Sequence, residues 1–408
     1  MKAAKTLELC VPEELIHAVQ NQDRVDEPPH NFYKYPARFA PDFARQAIQA
    51  FTKPGETVLD PFCGSGTTIV EAMSAGRRAA GFDVSSLAAF ISRTKTTSLS
   101  PRDKRQLTEW LAIVQAVRRP VAHLTKFENL DYYQRNLPAN VQSFFTTILE
   151  LLDLLPHDRQ RRFVRLTLLT VGQWALDCRK PNLTWRELRS KLCEKLPLFI
   201  DGHDRFFSGV AESTGLPRCQ IKSVRRIFNC SAEHGHQALP REWLPAKLIL
   251  TSPPYPGVHV LYHRWQVNGR KETPAPFWLA NGKDGAGEAH YCLGRRFENG
   301  LHTYFARLQV AFRSVAQLMG SQSLVVQLVA FSAPKWQLPR YLQAMEDAGL
   351  VEVRAKCACS YLRDGRIWRR VPGRRWYATQ KGNGPAGSEV MLLHRLNPDR
   401  RAPVAILP

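Results

Sequence analysis

The stretch from Thr57 to Val84 constrains the fold more than any other part of the chain. Thr57-Val58-Leu59-Asp60 is a short apolar run of strand type, and Asp60-Pro61-Phe62-Cys63-Gly64-Ser65-Gly66-Thr67-Thr68 continues directly from it. Glycine accepts the positive φ of a tight turn and leaves the backbone bare, so a ligand can approach it closely. Thr67 to Ala75, stopped by Gly76, has helical spacing, and a helix opening there presents free N–H groups above the turn. Arg77 to Val84 reads as a second strand. Strand, glycine turn, helix and strand form the start of an open α/β sheet, whose ligands bind beyond the carboxyl ends of the strands.

Asp83 closes the second strand, where a carboxylate can accept hydrogen bonds from both ribose hydroxyls of a nucleoside cofactor. The alternative is an acid that only caps the next helix. A second motif, Thr251-Ser252-Pro253-Pro254-Tyr255, follows another apolar strand, Lys247 to Thr251. Two prolines stiffen the backbone, so that the Ser252 side chain and the Pro253 carbonyl point at one spot while Tyr255 offers a flat face. Two acceptors and an aromatic ring suit a planar base with an exocyclic amino group.

The rest of the chain divides by pattern. Residues 1–30 are polar and end in Asp26-Glu27-Pro28-Pro29, an arm or short helix followed by a break. Asp42 to Phe51 has helical spacing. Ser100-Pro101-Arg102-Asp103 is a helix start, and helical stretches follow at 101–118, 140–155 and 160–178. Residues 100–219 thus read as a mostly helical insertion. The α/β rhythm returns with Ser223 to Cys230, a helix from Leu301 to Met319, a strand from Ser323 to Phe331 and a helix from Pro339 to Ala348. Val351 to Ser360 and Ser388 to His394 are expected to close the sheet as an antiparallel pair.

The chain has 408 residues with 57 Lys plus Arg against 36 Asp plus Glu, a net charge of +21 and a pI near 9.9, which biases it toward a polyanion. Nucleic acid leads on that count, and an acidic membrane surface comes second. No apolar run reaches the ~18 residues that span a bilayer, so a soluble, cytoplasmic protein is expected. The 9 cysteines are scattered, without paired Cys-x-x-Cys clusters, which argues against a disulfide framework and a structural zinc site; no metal is expected. Cys357-x-Cys359 reads as strand packing and His234-x-His236 as loop.

Together, DPFCGSGTT and TSPPY resemble the S-adenosylmethionine-dependent amino methyltransferases of DNA, the N4/N6 methyltransferase family. Phe32-Tyr33-Lys34-Tyr35-Pro36-Ala37-Arg38-Phe39 resembles the segment these enzymes carry before the glycine motif. The resemblance covers about 30–95 and 223–360. It implies a Rossmann-like class I methyltransferase sheet, doubly wound, with residues 31–99 and 220–408 as the catalytic domain and the insertion as a possible target-recognition region. It implies that Tyr35, Pro36, Asp60, Pro61, Phe62, Gly64, Ser65, Gly66, Thr67 and Asp83 line the S-adenosylmethionine site, Asp60 at the methionine amino group and Asp83 at the ribose. Ser252, Pro253, Pro254 and Tyr255 would hold the target base. Ser at the head of the second motif is the form usual in cytosine-N4 enzymes. One departure is Asn229-Cys230-Ser231-Ala232, where the family often has an acid near the cofactor adenine.

By this reading double-stranded DNA is the partner, and a cognate restriction endonuclease is left open. Arg366, Arg369, Arg370, Arg374 and Arg375, interleaved with aromatics, would grip phosphates. Arg264, Arg270 and Lys271 would rim the base pocket. Arg159, Arg161, Arg162 and Arg165 read equally as recognition or as a solvated helix face. Three rival functions stand beside cytosine-N4 methylation: adenine-N6 methylation of DNA, amino methylation of RNA, and DNA binding without catalysis.

Overall fold

A computed structural model describes residues 7–21, 23, 26–35, 39–117, 128–177, 183–257, 264–267, 271–285, 288–294, 298–371 and 387–398. Pro36, Arg270, Arg374 and Arg375, expected at the site or its rim, lie outside them. The chain opens with β1 (Leu7–Cys10), α1 (Glu13–Gln20) and α2 (Pro41–Phe51), then runs β2 (Thr57–Asp60), α3 (Thr67–Ser74), β3 (Arg78–Phe82) and α4 (Ser86–Lys95). Helices α5 (Pro101–Ala116), α6 (Leu130–Gln134), α7 (Ala139–Leu151), α8 (Asp158–Asp177) and α9 (Trp185–Thr214) follow. Next come β4 (Arg225–Phe228), α10 (Gly235–Ala238), β5 (Ala246–Thr251), the ribbon β6 (Trp265–Val267) and β7 (Lys271–Thr273), α11 (Ala275–Ala280), α12 (Glu288–Tyr291) and α13 (Glu298–Ala316). The chain closes with β8 (Met319–Ala330), α14 (Pro334–Asp347), β9 (Leu350–Lys356), β10 (Leu362–Arg363), β11 (Arg366–Val371) and β12 (Gly387–Leu396).

Along the main sheet the order is β1-β9-β12-β8-β5-β2-β3-β4. From β2 the chain moves outward through β3 to β4, then returns to the other side of β2 and moves outward through β5 to β8. Pairing across β4, β3, β2, β5 and β8 is parallel, and β12 runs antiparallel between β8 and β9. This is the doubly wound α/β class expected, with its reversal of strand order between β2 and β5.

Alternate residues of the strands face opposite layers. Val58, Leu248, Leu250, Val326 and Leu393 pack under α1, α2 and α3, while Leu59, Ile249, Val325 and Leu392 pack under α13 and α14. Helices α5, α7, α8 and α9 build a further core of their own, which also takes in Phe32, Tyr33, Tyr35, Leu87 and Ile91. Reciprocal capping boxes set the starts of two of these helices: Ser100 with Asp103 for α5, and Thr184 with Glu187 for α9.

Several expectations shift. Of the arm or short helix expected at the N-terminus, the described residues show the helix, α1, with Leu15, Ile16 and Val19 buried in the sheet core, and before it β1, which pairs in parallel with β9. Polar composition hid this because only one face of each short element is apolar. β9 stops at Lys356, so Cys357 and Cys359 lie just past the strand, with sulfurs 2.9 Å apart. β12 does pair antiparallel with β9, through Leu393 to Leu396, but it pairs with β8 and β11 as well, so the described part of the Arg-rich segment belongs to the sheet. No described helix is long and apolar enough to cross a membrane.

Candidate active site

Strands β2 and β5 are parallel neighbours, with Val58 opposite Leu248 and Leu59 opposite Ile249. Their following loops therefore leave the same edge of the sheet side by side, at the point where strand order reverses. Thr251 Oγ1 donates to Asp60 Oδ1 at 2.7 Å, and Thr68 Oγ1 donates to Asp60 Oδ2 at 2.7 Å and to the Leu250 carbonyl at 3.2 Å. Asp60 thus ties the two motifs together. A cleft of about 900 Å³, counting its open mouth, is lined by residues of both, among them Tyr35, Asp60, Phe62, Gly64, Ser65, Asp83, Ser252 and Pro254.

Gly64 and Gly66 have φ of +50° and +84°, the left-handed region that the turn demands. A Cβ on Gly66 would also lie 2.3 Å from Ser92 Oγ. Gly64 donates its N–H to Asp83 Oδ2 at 2.8 Å, and Ser85 donates its N–H to Asp83 Oδ1 at 2.8 Å. The α4 cap is Ser85, which accepts from the Ala88 N–H, so Asp83 shapes the turn before the helix and lines the cleft as well. Lys95, 1% exposed, donates to the Ser65 carbonyl from beneath. Burial pushes both carboxyls up to about 6, against the hydrogen bonds from Thr251, Thr68 and the Phe62 N–H at Asp60, and from the Ser85 and Gly64 N–H groups at Asp83.

In the second motif Ser252 Oγ donates to the Tyr255 hydroxyl at 3.1 Å, which donates to Glu389 Oε1 at 3.0 Å. Tyr304 donates to the Pro254 carbonyl at 2.7 Å. Ser252 and Pro254 line the cleft, but Tyr255 is 6% exposed and belongs to the core under it, so the flat face expected of it is not turned to the opening. Pro253 is absent from the lining too. Aromatic lining comes instead from Tyr35, Phe39, Phe62, His290 and Tyr291. A residue at the end of a rigid Pro-Pro turn follows the backbone inward, a direction that sequence does not specify.

Three of the arginines expected on DNA are engaged within the protein. Arg264 pairs with Asp284 at 3.0 Å and Glu272 at 3.3 Å, Arg366 pairs with Glu352 through two bonds of 2.6 and 2.9 Å, and Arg369 pairs with Glu389 at 2.7 Å. Their side chains are 18%, 11% and 9% exposed. A strand that looks basic in isolation meets the acids of its neighbours once the sheet forms. Lys271 and Arg370 are exposed. In α8, Arg159 pairs with Asp103, Arg162 with Asp158, Arg161 donates to the Leu155 carbonyl and Arg165 to the carbonyls of Trp278 and Leu279. That run therefore works largely in holding the helical core together.

Residues 14–91 match the model of the DNA methylase family named N6_N4_Mtase. Over that segment the chain is similar to the N4/N6 DNA methylases. The methylase segment contains the glycine motif and Asp83 and stops well before Ser252. The Type II methyltransferase M.MvaI of Kocuria varians is 27% identical over 115 residues, which are 26% of this chain and 25% of that protein. The Type II methyltransferase M.MjaII of Methanocaldococcus jannaschii is 32% identical over 66 residues, 16% of this chain and 12% of that protein. The chain thus spans a quarter or less of the length of these relatives. Among solved structures, the rRNA methyltransferase aviRa from Streptomyces viridochromogenes aligns over 91% of this chain and 94% of its own at 12% identity and a TM-score of 0.33. The class of the fold rests on the sheet order itself.

Around the methylase segment the cleft gathers residues without a sequence signature: Ser85, Ser231, His290, Tyr291 and Arg307, the last held by Glu233 at 2.7 Å. Lys95 and Glu389 are reached only through hydrogen bonds. For Glu389 a signal existed, since an acid interrupts the apolar alternation that Met391 and Leu393 continue on one face of β12.

Proposed function

We propose that the protein transfers a methyl group from S-adenosylmethionine to the exocyclic N4 of cytosine in double-stranded DNA. The reading rests on one observation above all: at the reversal of strand order, a cleft joins the methylase glycine loop to a Ser-Pro-Pro-Tyr loop. The residues fit the cofactor. Two carboxylates, Asp60 and Asp83, face a molecule that carries a positive amino group and a sulfonium, and Ser65 Oγ is buried there without a protein hydrogen-bond partner. Asp83 uses one acceptor site on each oxygen for backbone N–H groups, which leaves further sites for ribose hydroxyls. Asp83→Ala is expected to weaken cofactor binding by about tenfold or more, since a hydrogen bond to a charged group is worth roughly 1.5–3 kcal/mol; calorimetric titration checks it, and unchanged affinity would remove Asp83 from the site.

S-adenosylmethionine supplies an electrophilic methyl on a sulfonium centre. The protein's own task is to make the amino nitrogen a competent nucleophile and to hold it in line. The N4 lone pair of cytosine is delocalised into the ring, and acceptors on its hydrogens help it to pyramidalise. Ser252 Oγ, at the cleft, would be such an acceptor. The mechanism needs no enzyme nucleophile, and burial holds the nearby Cys63 thiol well above its usual range, where it is inert. Because the amino group lies inside the duplex, the base must be flipped out at a cost of a few kcal/mol. The net charge of +21 favours holding the duplex, with Lys271 and Arg370 among the cations left exposed.

Cytosine-N4 is chosen over adenine-N6 on Ser252. Mass spectrometry of nucleosides from duplex DNA treated with the purified protein and cofactor tests the choice. N4-methylcytosine is expected; N6-methyladenine alone would replace the target, and label transferred to RNA but not to duplex DNA would replace the substrate class.

A further inference from the structure

Glu389 stands 2% exposed on β12, a strand remote in sequence from both motifs. Arg369 of the neighbouring β11 holds it through Nε at 2.7 Å and a second guanidinium nitrogen, while its own Nη1 donates to the Val19 carbonyl at 3.1 Å. A guanidinium keeps its charge, so its partner is a carboxylate, and a carboxylate only accepts. The other oxygen of Glu389 takes the Tyr255 hydroxyl at 3.0 Å. Tyr255 has one proton and directs it to Glu389, so toward Ser252, 3.1 Å away, its oxygen can only accept. The Ser252 proton is then turned inward, and lone pairs of Ser252 Oγ are left for the cleft.

We propose that Glu389 is a positioning residue for methyl transfer: through Tyr255 it fixes the direction of the hydrogen-bond chain, so that Ser252 meets the target amino group as an acceptor. The proposal rests on the function given above and adds to it the device that sets the polarity of the base site. Without such a device a serine hydroxyl rotates freely and presents its proton as readily as its lone pairs. A donor facing an amino N–H is repelled by it and adds no electron density to the nitrogen. Arg369 takes part by compensating the buried charge, which explains why an arginine of the basic segment points into the sheet.

Removing the acid while keeping its shape, in Glu389→Gln, lets the new amide donate to the Tyr255 oxygen and reverses the chain. Tyr255→Phe cuts the chain but leaves the Glu389–Arg369 pair intact, so it guards against a folding defect in the first variant. Each is expected to lower kcat on duplex DNA about tenfold, with the S-adenosylmethionine Kd, measured by calorimetry, within about twofold of wild type. In a Ser252→Ala background the same two changes should alter kcat by less than about twofold, because the group they orient is gone. Equal losses in both backgrounds, or wild-type rates for Glu389→Gln and Tyr255→Phe, would overturn the proposal. Failure of the wild-type protein to methylate duplex DNA would overturn the functional reading along with it, whereas transfer with additive losses sinks this inference alone.

Discussion

Ser252→Ala is expected to lower the rate of methyl transfer about 10- to 100-fold while the affinity for S-adenosylmethionine moves by less than about threefold. The size follows from the removal of one acceptor that strengthens as positive charge develops on the amino nitrogen, an interaction larger in the transition state than in the ground state. The selectivity follows from geometry. Ser252 heads the loop after β5, whereas the hydrogen bonds that shape the glycine loop come from Asp60, Asp83 and Lys95. Little else should change, since the Ser252 hydroxyl bonds to Tyr255, and Tyr255 keeps Glu389 without it. Single-turnover rates beside calorimetric titration measure both quantities. A large loss of affinity at an unchanged rate would mean that the two loops have been assigned to the wrong partners.

Ligand-free protein is expected to reveal the cost of Asp60 as a pH-dependent difference from Asp60→Asn. The Asp60 carboxyl is raised from 3.8 to about 6 in the folded chain, mainly by burial. Between those values the folded state binds a proton that the unfolded state has lost, so this group's contribution is fully present below about pH 4 and disappears as pH rises through about 6. The loss is on the order of 3 kcal/mol. Asn mimics the protonated acid, so the variant should gain stability relative to wild type between pH 4 and 7.5, whatever the offset from altered hydrogen bonding. Asp103 and Asp204, held below the usual range despite opposing desolvation by bonds to Arg159 and Ser100 and to Lys104 and Arg218 respectively, act in the opposite sense but cancel in the difference. Denaturant unfolding of both proteins at the two pH values checks this. A pH-independent gap would show that Asp60 stays close to its unfolded behaviour. On the proposed function, retention of so costly a carboxylate has its reason in the cleft: the same charge would attract a cationic cofactor, and that attraction would fade as pH falls below 6.

The glycine loop and Asp83 were legible in the sequence because their chemistry is local. A strand, two residues at positive φ and a helix start follow from neighbouring side chains, and the structure draws Asp60, Gly64, Ser65, Asp83 and Ser252 around one cleft. The helix starts at Ser100 and Thr184 were likewise written in reciprocal caps. The arginines were legible only as charge. Arg366 and Arg369 look like a phosphate grip until β11 lies between β10 and β12, where Glu352 and Glu389 take them up.

The sequence by itself determined the class of sheet, the two loops and the residue types that they carry, since periodicity and turn chemistry act over a few residues. Tertiary structure alone decided which way Tyr255 faces, which arginines of the basic segment are drawn into ion pairs, and that Glu389 meets Ser252 through the Tyr255 hydroxyl. Those outcomes depend on strand order: a carboxylate is an isolated buried charge or half of an ion pair according to which strand lies next to it, and no local pattern encodes that neighbour.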